Sequence, residues 1–241
     1  MKARAWIGAG ALLYAAALVM LAPAMLLDAV ASRVADGRVR LTAAQGTLWS
    51  GRAQIALRDG ATAVRAGAIA WRLRGVTASQ GLAFEVTGGA RPFVTHVSLS
   101  RIELTEAALS LPARALAVVV PRLAPIEPTG EVLLRVSRLA LTSDGTSAEA
   151  TVEWSDAGSA LTRVTPLGAY RMHVMQTGAA LEATLRTVRG PLELEGRGGW
   201  RPGGKPAFAA IARVTAHERE LRPLLGLIGV PRGDGSFELK L

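Results

Sequence analysis

Apolar residues recur at every second position over most of this chain. That period fits strands with one buried face. Ala53, Ile55 and Leu57 alternate with Gln54, Ala56 and Arg58, and Ile69, Trp71 and Leu73 alternate with small or basic residues. Val132, Leu134 and Val136 repeat the pattern, as do Leu181, Ala183 and Leu185. Leu192 and Leu194 alternate with Glu193 and Glu195, and Phe237, Leu239 and Leu241 with Glu238 and Lys240. Turn residues punctuate these runs at Arg58-Asp59-Gly60, Thr87-Gly88-Gly89, Ser143-Asp144-Gly145 and across 196–204. The pattern predicts about ten or more short strands, joined mostly as hairpins.

Two stretches break the rhythm and predict short helices. The first is Pro112–Leu123, stopped by Pro121 and Pro125; the second is His217–Ile228, stopped by Gly229 and Pro231. Each is followed by proline, glycine and an alternating strand. Gly46 and Trp71 bracket one strand pair, and Gly130 and Trp154 bracket another, at spacings of 25 and 24 residues. This echo suggests an internal duplication with halves 41–129 and 130–241.

From Ala5 to Leu27 no residue is charged, a run of 23. As a helix this is about 34 Å long, enough to cross a bilayer core of about 30 Å. Lys2 and Arg4 precede it, which keeps residues 1–4 in the cytoplasm. The expected order is therefore a transmembrane anchor over 5–27, a linker over 28–40 and a β-rich periplasmic domain over 41–241. The competing reading is a cleaved signal peptide, with Ala29-Val30-Ala31 as the small-x-small site. The apolar run exceeds a usual signal core, which favours a retained anchor.

Composition narrows the function. Half of the 241 residues are hydrophobic, too many for a disordered chain. No cysteine is present, so disulfides, thiol catalysis and cysteine-based zinc sites are excluded. The formal charge is +9, but 25 of the 28 basic residues are arginines dispersed along the chain. A nucleic-acid surface would cluster them and interleave aromatics, so no nucleic-acid partner is expected. His96, His173 and His217 are far apart and have no ligand-like neighbours, so no metal is expected. Gly199–Lys205 imitates a phosphate loop, but Pro206 stands where Ser or Thr should hold magnesium and a strand follows. Glu193 and Glu195 share a sheet face as glycosidase carboxylates do, yet exposed residues opposite Leu192 and Leu194 account for them. Ser50 lacks the glycine pattern of a nucleophile elbow. No enzyme, cofactor or small-molecule substrate is expected.

One box is distinctive: Gln45-Gly46-Thr47-Leu48-Trp49-Ser50-Gly51-Arg52-Ala53. Gly46 and Gly51 permit tight turns around Trp49, which is expected to be a core anchor whose indole N–H finds a backbone acceptor. Trp71 and Trp154 are expected to do the same at strand ends. The box serves as framework, or Trp49, Ser50 and Arg52 form a partner-binding edge. With Trp71-Arg72-Leu73, the stretch 150–157 around Trp154, Pro166-Leu167-Gly168-Ala169-Tyr170 and Gly190-Pro191-Leu192, it resembles the type II secretion system protein N family. Ala169 departs from the acidic residue often found at that place.

The resemblance implies a mainly β fold: a transmembrane helix, then a curved antiparallel sheet with two short helices. It also implies a non-enzymatic accessory subunit at the inner membrane, aiding export of folded proteins across the outer membrane. Its expected partners are the platform subunits C, L and M and the outer-membrane secretin. Gly46, Thr47, Trp49, Ser50, Gly51 and Arg52 would form a framework or partner-binding box, with Trp71, Trp154 and Tyr170 as framework. The alternative is a membrane-anchored periplasmic protein whose β-groove binds or bridges lipid, with Pro112–Leu123 as a lid.

Overall fold

The computed structural model describes all residues except 1–9, 11–12, 60–61, 78–80, 99, 144, 203, 205–206 and 241. One antiparallel sheet takes in every strand. Its first half holds β1 (Val39–Gly46), β2 (Ser50–Asp59), β3 (Thr62–Thr77), β4 (Gly81–Thr87), β5 (Phe93–Val97), β6 (Arg101–Pro112) and β7 (Pro128–Thr142). Its second half holds β8 (Gly145–Ser159), β9 (Gly168–Thr177), β10 (Ala180–Arg189), β11 (Leu192–Trp200), β12 (Ala207–Val214), β13 (Val230–Pro231) and β14 (Phe237–Lys240). Sequential strands are neighbours through β12, and then β14 intervenes before β13 at the far edge. The expectation of a mainly β, antiparallel protein with few helices holds, and several strands are longer than expected. Beyond the N-terminal run described below, the α-helices among the described residues are α1 (Met25–Val34), α2 (Arg114–Val119) and α3 (Glu218–Ile228).

The period-two pattern becomes straight rows across the sheet. Leu109 faces Leu134, Leu134 faces Val152, Val152 faces Met172, and Met172 faces Leu185. Each pair brings side chains into cross-strand contact, the unit that stabilises a sheet. The sheet is strongly bent. Strands β3 and β6 are three steps apart, about 14 Å in a flat sheet, yet their Cα atoms come within 8 Å. Irregular register in β1, β3, β7 and β8 supplies bulges that sharpen such bends.

Two clusters are buried. At the C-terminal end, Leu221, Leu224 and Leu225 of α3 pack on Leu192, Ala210, Ala212, Phe237 and Leu239. Their spacing places all three leucines on one helix face. At the N-terminal end, Ala24, Ala53 and Trp71 are buried, with Leu27, Leu41, Ile69 and Phe84 around them.

The second expected helix matches α3 closely. The first is shorter than its expected span. α2 ends at Val119, and a 3-10 turn takes over at Pro121–Ile126, because Pro121 and Pro125 lack the N–H an α-helix needs.

The N-terminal run also departs from a single helix. Residues 13–20 are helical, Leu21 turns, and Pro23 makes a bridge with Thr47 before α1 begins. Ala22 and Ala24 give their backbone groups to the sheet instead of a helix ladder: Leu48 N–H donates to Ala22 O at 2.8 Å, and Ala24 N–H to Gly46 O at 3.0 Å. Among the described residues no helix is long and apolar enough to cross a membrane. Residues 5–9 and 11–12 of the expected span lie outside the described residues. Most of α1 lies in 28–40, the stretch expected as a linker.

Candidate functional site

The Gly46–Gly51 box is the hairpin tip between β1 and β2. Gly46 sits at φ +92°, a conformation that strains any other residue, and a Cβ there would lie 2.5 Å from Ser50 O. Thr47 N–H donates to Ser50 O at 2.8 Å, while Thr47 Oγ1 accepts from the backbone N–H of Trp49 and of Ser50. The tip is thus closed by backbone and one hydroxyl. Ser50 is exposed and takes part through its backbone. Arg52 crosses the hairpin to Gln45 Oε1 at 2.7 Å and is exposed as well.

This tip holds the N-terminal segment. Trp49 Nε1–H donates to Val19 O at 2.9 Å, beside the backbone bonds to Ala22 and Ala24 described above. Trp49 therefore has the backbone acceptor expected of it, but it is half-buried and not a core residue, because its ring lies at the rim against the N-terminal segment. Trp71 is the buried one. Its Nε1–H is shared between Thr47 O at 3.2 Å and Leu48 O at 3.1 Å. The ring lies so close to Gly51 that a Cβ there would stand 2.6 Å from Trp71 Cζ2.

The same arrangement recurs in β7 and β8. Trp154 Nε1–H donates to Thr129 O at 2.9 Å, and Ala113 N–H donates to Gly130 O at 3.0 Å. Ala24 and Ala113 each follow a proline, each precede a helix, and both are buried. The dipeptides Pro23-Ala24 and Pro112-Ala113 are the signal in the sequence that marks this correspondence.

Tyr170 joins the second arrangement to the C-terminal cluster. Its ring centroid is 5.7 Å from that of Trp154, and its O–H donates to Leu192 O at 3.0 Å. Burial raises the phenol pKa well above its usual value.

A further residue, missed by motif reasoning, ties α1 to the sheet. Asp28 accepts from Arg40 Nε at 3.0 Å and Nη2 at 2.7 Å, and from Leu41 N–H at 2.7 Å. The Arg40 guanidinium holds the Asp28 carboxyl below its ordinary range, with the Leu41 N–H adding to it. Leu41 lies in the outermost strand, so this carboxylate caps an edge N–H that would otherwise be open to pairing.

The remaining candidates stay apart. Among the described residues no three His, Asp or Glu side chains come together as metal ligands would. Glu193 and Glu195 are exposed in a shallow hollow lined also by Arg186, Arg197 and Arg213. The phosphate-loop mimic begins with Gly199 and Trp200 at the end of β11 and is followed by the strand β12, with Gly203 and Lys205 outside the described residues.

Neither the curated proteins nor the solved structures give a significant match. The family model of type II secretion system protein N matches residues 37–240, which is most of the chain and contains the whole sheet from β1 to β14. On that match, the chain belongs to the type II secretion system protein N family.

Proposed function

We propose that this chain is a non-enzymatic scaffold subunit of the type II secretion system. In this reading it is anchored in the inner membrane by its N-terminal segment, with the N-terminus cytoplasmic and the sheet in the periplasm. It would aid the export of folded proteins by joining other subunits, with the platform subunits C, L and M as partners and the secretin as a further one. Support for the anchor comes from the large apolar side chains exposed between Leu13 and Leu21, an arrangement suited to lipid surroundings.

The observation that carries the scaffold reading is the unequal treatment of the two sheet edges. At β1 the edge is masked by α1 and the Asp28 carboxylate. At the other edge β13 pairs with only Phe237 and Glu238 of β14. β13 is the last strand of the sheet and Val230 in it is exposed, so its outer edge is left for a partner strand to extend, the usual mode of β-augmentation.

The test is site-specific photocrosslinking in native membranes, with the probe at Val230 on that edge and, separately, at Trp49. Capture of C, L or M from Val230 is the expected result. A probe at Val230 that captures no secretion subunit, while the protein is folded and membrane-bound, overturns the edge assignment.

A further inference from the structure

Helix α1 has two unlike faces. Leu27, Asp28, Ala31 and Ser32 are half-buried. Leu27 joins the N-terminal cluster, and Asp28 is taken up by Arg40 and the Leu41 N–H, so this face meets the sheet. Met25, Leu26, Ala29, Val30 and Arg33 are exposed. At about 100° per residue, these positions fall within an arc of about 140° on the opposite side. Its large apolar members stand well clear of the protein, with Met25 66%, Leu26 48% and Val30 59% exposed. Scattered apolar residues on a surface need no explanation, but a contiguous arc does. The one acid of α1, Asp28, is turned away from this arc, and its one base, Arg33, ends it.

The arc continues the apolar run that precedes it. Leu18, Val19, Met20 and Leu21 are exposed, and α1 begins just beyond the turn at Leu21. Trp49 marks the junction, with its indole N–H on Val19 O. Tryptophan is favoured where a bilayer meets water. The bonds of Ala22 and Ala24 to the β1–β2 tip fix the start of α1 at the same level. The helix has 10 residues and is about 15 Å long. An apolar arc along that length suits a helix lying in a membrane surface, where one face sinks about 5–10 Å. Arg33 at the end of the arc is placed to reach lipid phosphates, as long basic side chains do from such positions. Arg38 is exposed just beyond it, with Asp36 as the acidic member of this segment.

We propose that α1 lies on the bilayer surface, with Met25, Leu26, Ala29 and Val30 in the boundary between headgroups and acyl chains and Arg33 at the phosphates. This rests on the anchored reading above and adds a second contact, made by the folded domain itself. The membrane covers one face of α1 and β1 the other, so the β1 end of the sheet is the end held at the membrane.

The chain has no cysteine, so single cysteines can carry nitroxide labels with no other change. The full chain is reconstituted in nanodiscs of phosphatidylethanolamine and phosphatidylglycerol. Labels are placed in turn by Leu18→Cys, Met25→Cys, Val30→Cys and, as an exposed control on α3, Glu220→Cys. Relaxation of each label by oxygen, which concentrates in lipid, is compared with relaxation by a water-soluble nickel chelate. Labels at Met25 and Val30 should favour oxygen several-fold, at a shallower depth than Leu18, and the Glu220 label should favour nickel. Arg33→Glu should raise nickel access at Val30 several-fold; unchanged access would overturn the phosphate contact. A Val30 label as open to nickel as Glu220, with Leu18 still in lipid, overturns the proposal and leaves the anchor standing. A Leu18 label open to nickel overturns both. A Val30 label shielded from both reagents and broadened by a second label places another copy of the chain on the arc, and also overturns the proposal.

Discussion

At the scale of single residues, the sequence reveals which side chains are special better than what they bind. The sparse tryptophans and a tyrosine after Pro-Leu-Gly-Ala are visible as large anchors, although Trp71 and Trp154 lie within β3 and β8 and not at the expected strand ends. Their acceptors are backbone carbonyls that no motif encodes, and Trp49 differs from Trp71 only in whether the N-terminal segment or the core meets its ring. Tyr170 makes the point testable. Its hydroxyl satisfies the carbonyl of the buried Leu192, and burial disfavours the phenolate. A raised folded pKa contributes stability that is complete below the unfolded value of about 10 and is lost as pH rises above it. Tyr170→Phe removes both the hydrogen bond and the titration. We expect it to cost about 1 kcal/mol at neutral pH, and to remove the part of the alkaline stability loss above about pH 10 that Tyr170 causes. Urea unfolding of both proteins across that range would expose an unchanged alkaline slope, which would contradict this role.

Elements were legible where period and proline speak, and illegible where docking decides. The alternation marks the strands, and Pro121 and Pro125 mark where α2 must stop. The interruption at 21–24 was hidden, since an uncharged run reads as one helix and only tertiary hydrogen bonds to the box divide it. Most of α1 falls in the expected linker 28–40, and its position rests on Asp28 reaching Arg40 and Leu41. With the Asp28 pKa lowered in the folded state, its contribution is present above the unfolded value of about 3.9 and is lost as pH falls through the folded one. Partly exposed ion pairs are weak, so the effect is local release of α1 and not global unfolding. Asp28→Asn should raise hydrogen exchange in residues 25–34 several-fold at neutral pH and leave Leu221–Leu225 unchanged. Wild-type protein acidified below the lowered folded pKa of Asp28 should approach the same profile. Equal protection of α1 in both proteins at neutral pH would show that Asp28 does not hold it.

On the scale of the whole molecule, hairpin order was readable and shape was not. Adjacent strands joined by Gly and Asp turns have little choice but to pair, so much of the path from β1 to β12 follows from local signals, while β6 and β7, joined through α2 and the 3-10 turn, are brought together by packing. The placement of β14 between β12 and β13, and the bend that brings β3 near β6, depend on long-range packing. Two separate buried clusters are a consequence of that shape. The C-terminal one rests on α3; the N-terminal one rests on Trp71 and the clasp around Thr47. A sheet whose contacts run mostly between adjacent strands transmits stability weakly over distance, as in repeat proteins. Leu225 is 1% exposed at the centre of the C-terminal cluster. Leu225→Ala removes its packing and should cost about 2–5 kcal/mol. We expect that loss to appear first in β10, β11, β12 and β14 as faster hydrogen exchange, with β2 and β3 retaining their protection. If exchange instead rises equally in all strands, the two clusters unfold as one unit, and the sheet couples its ends more strongly than its contacts indicate.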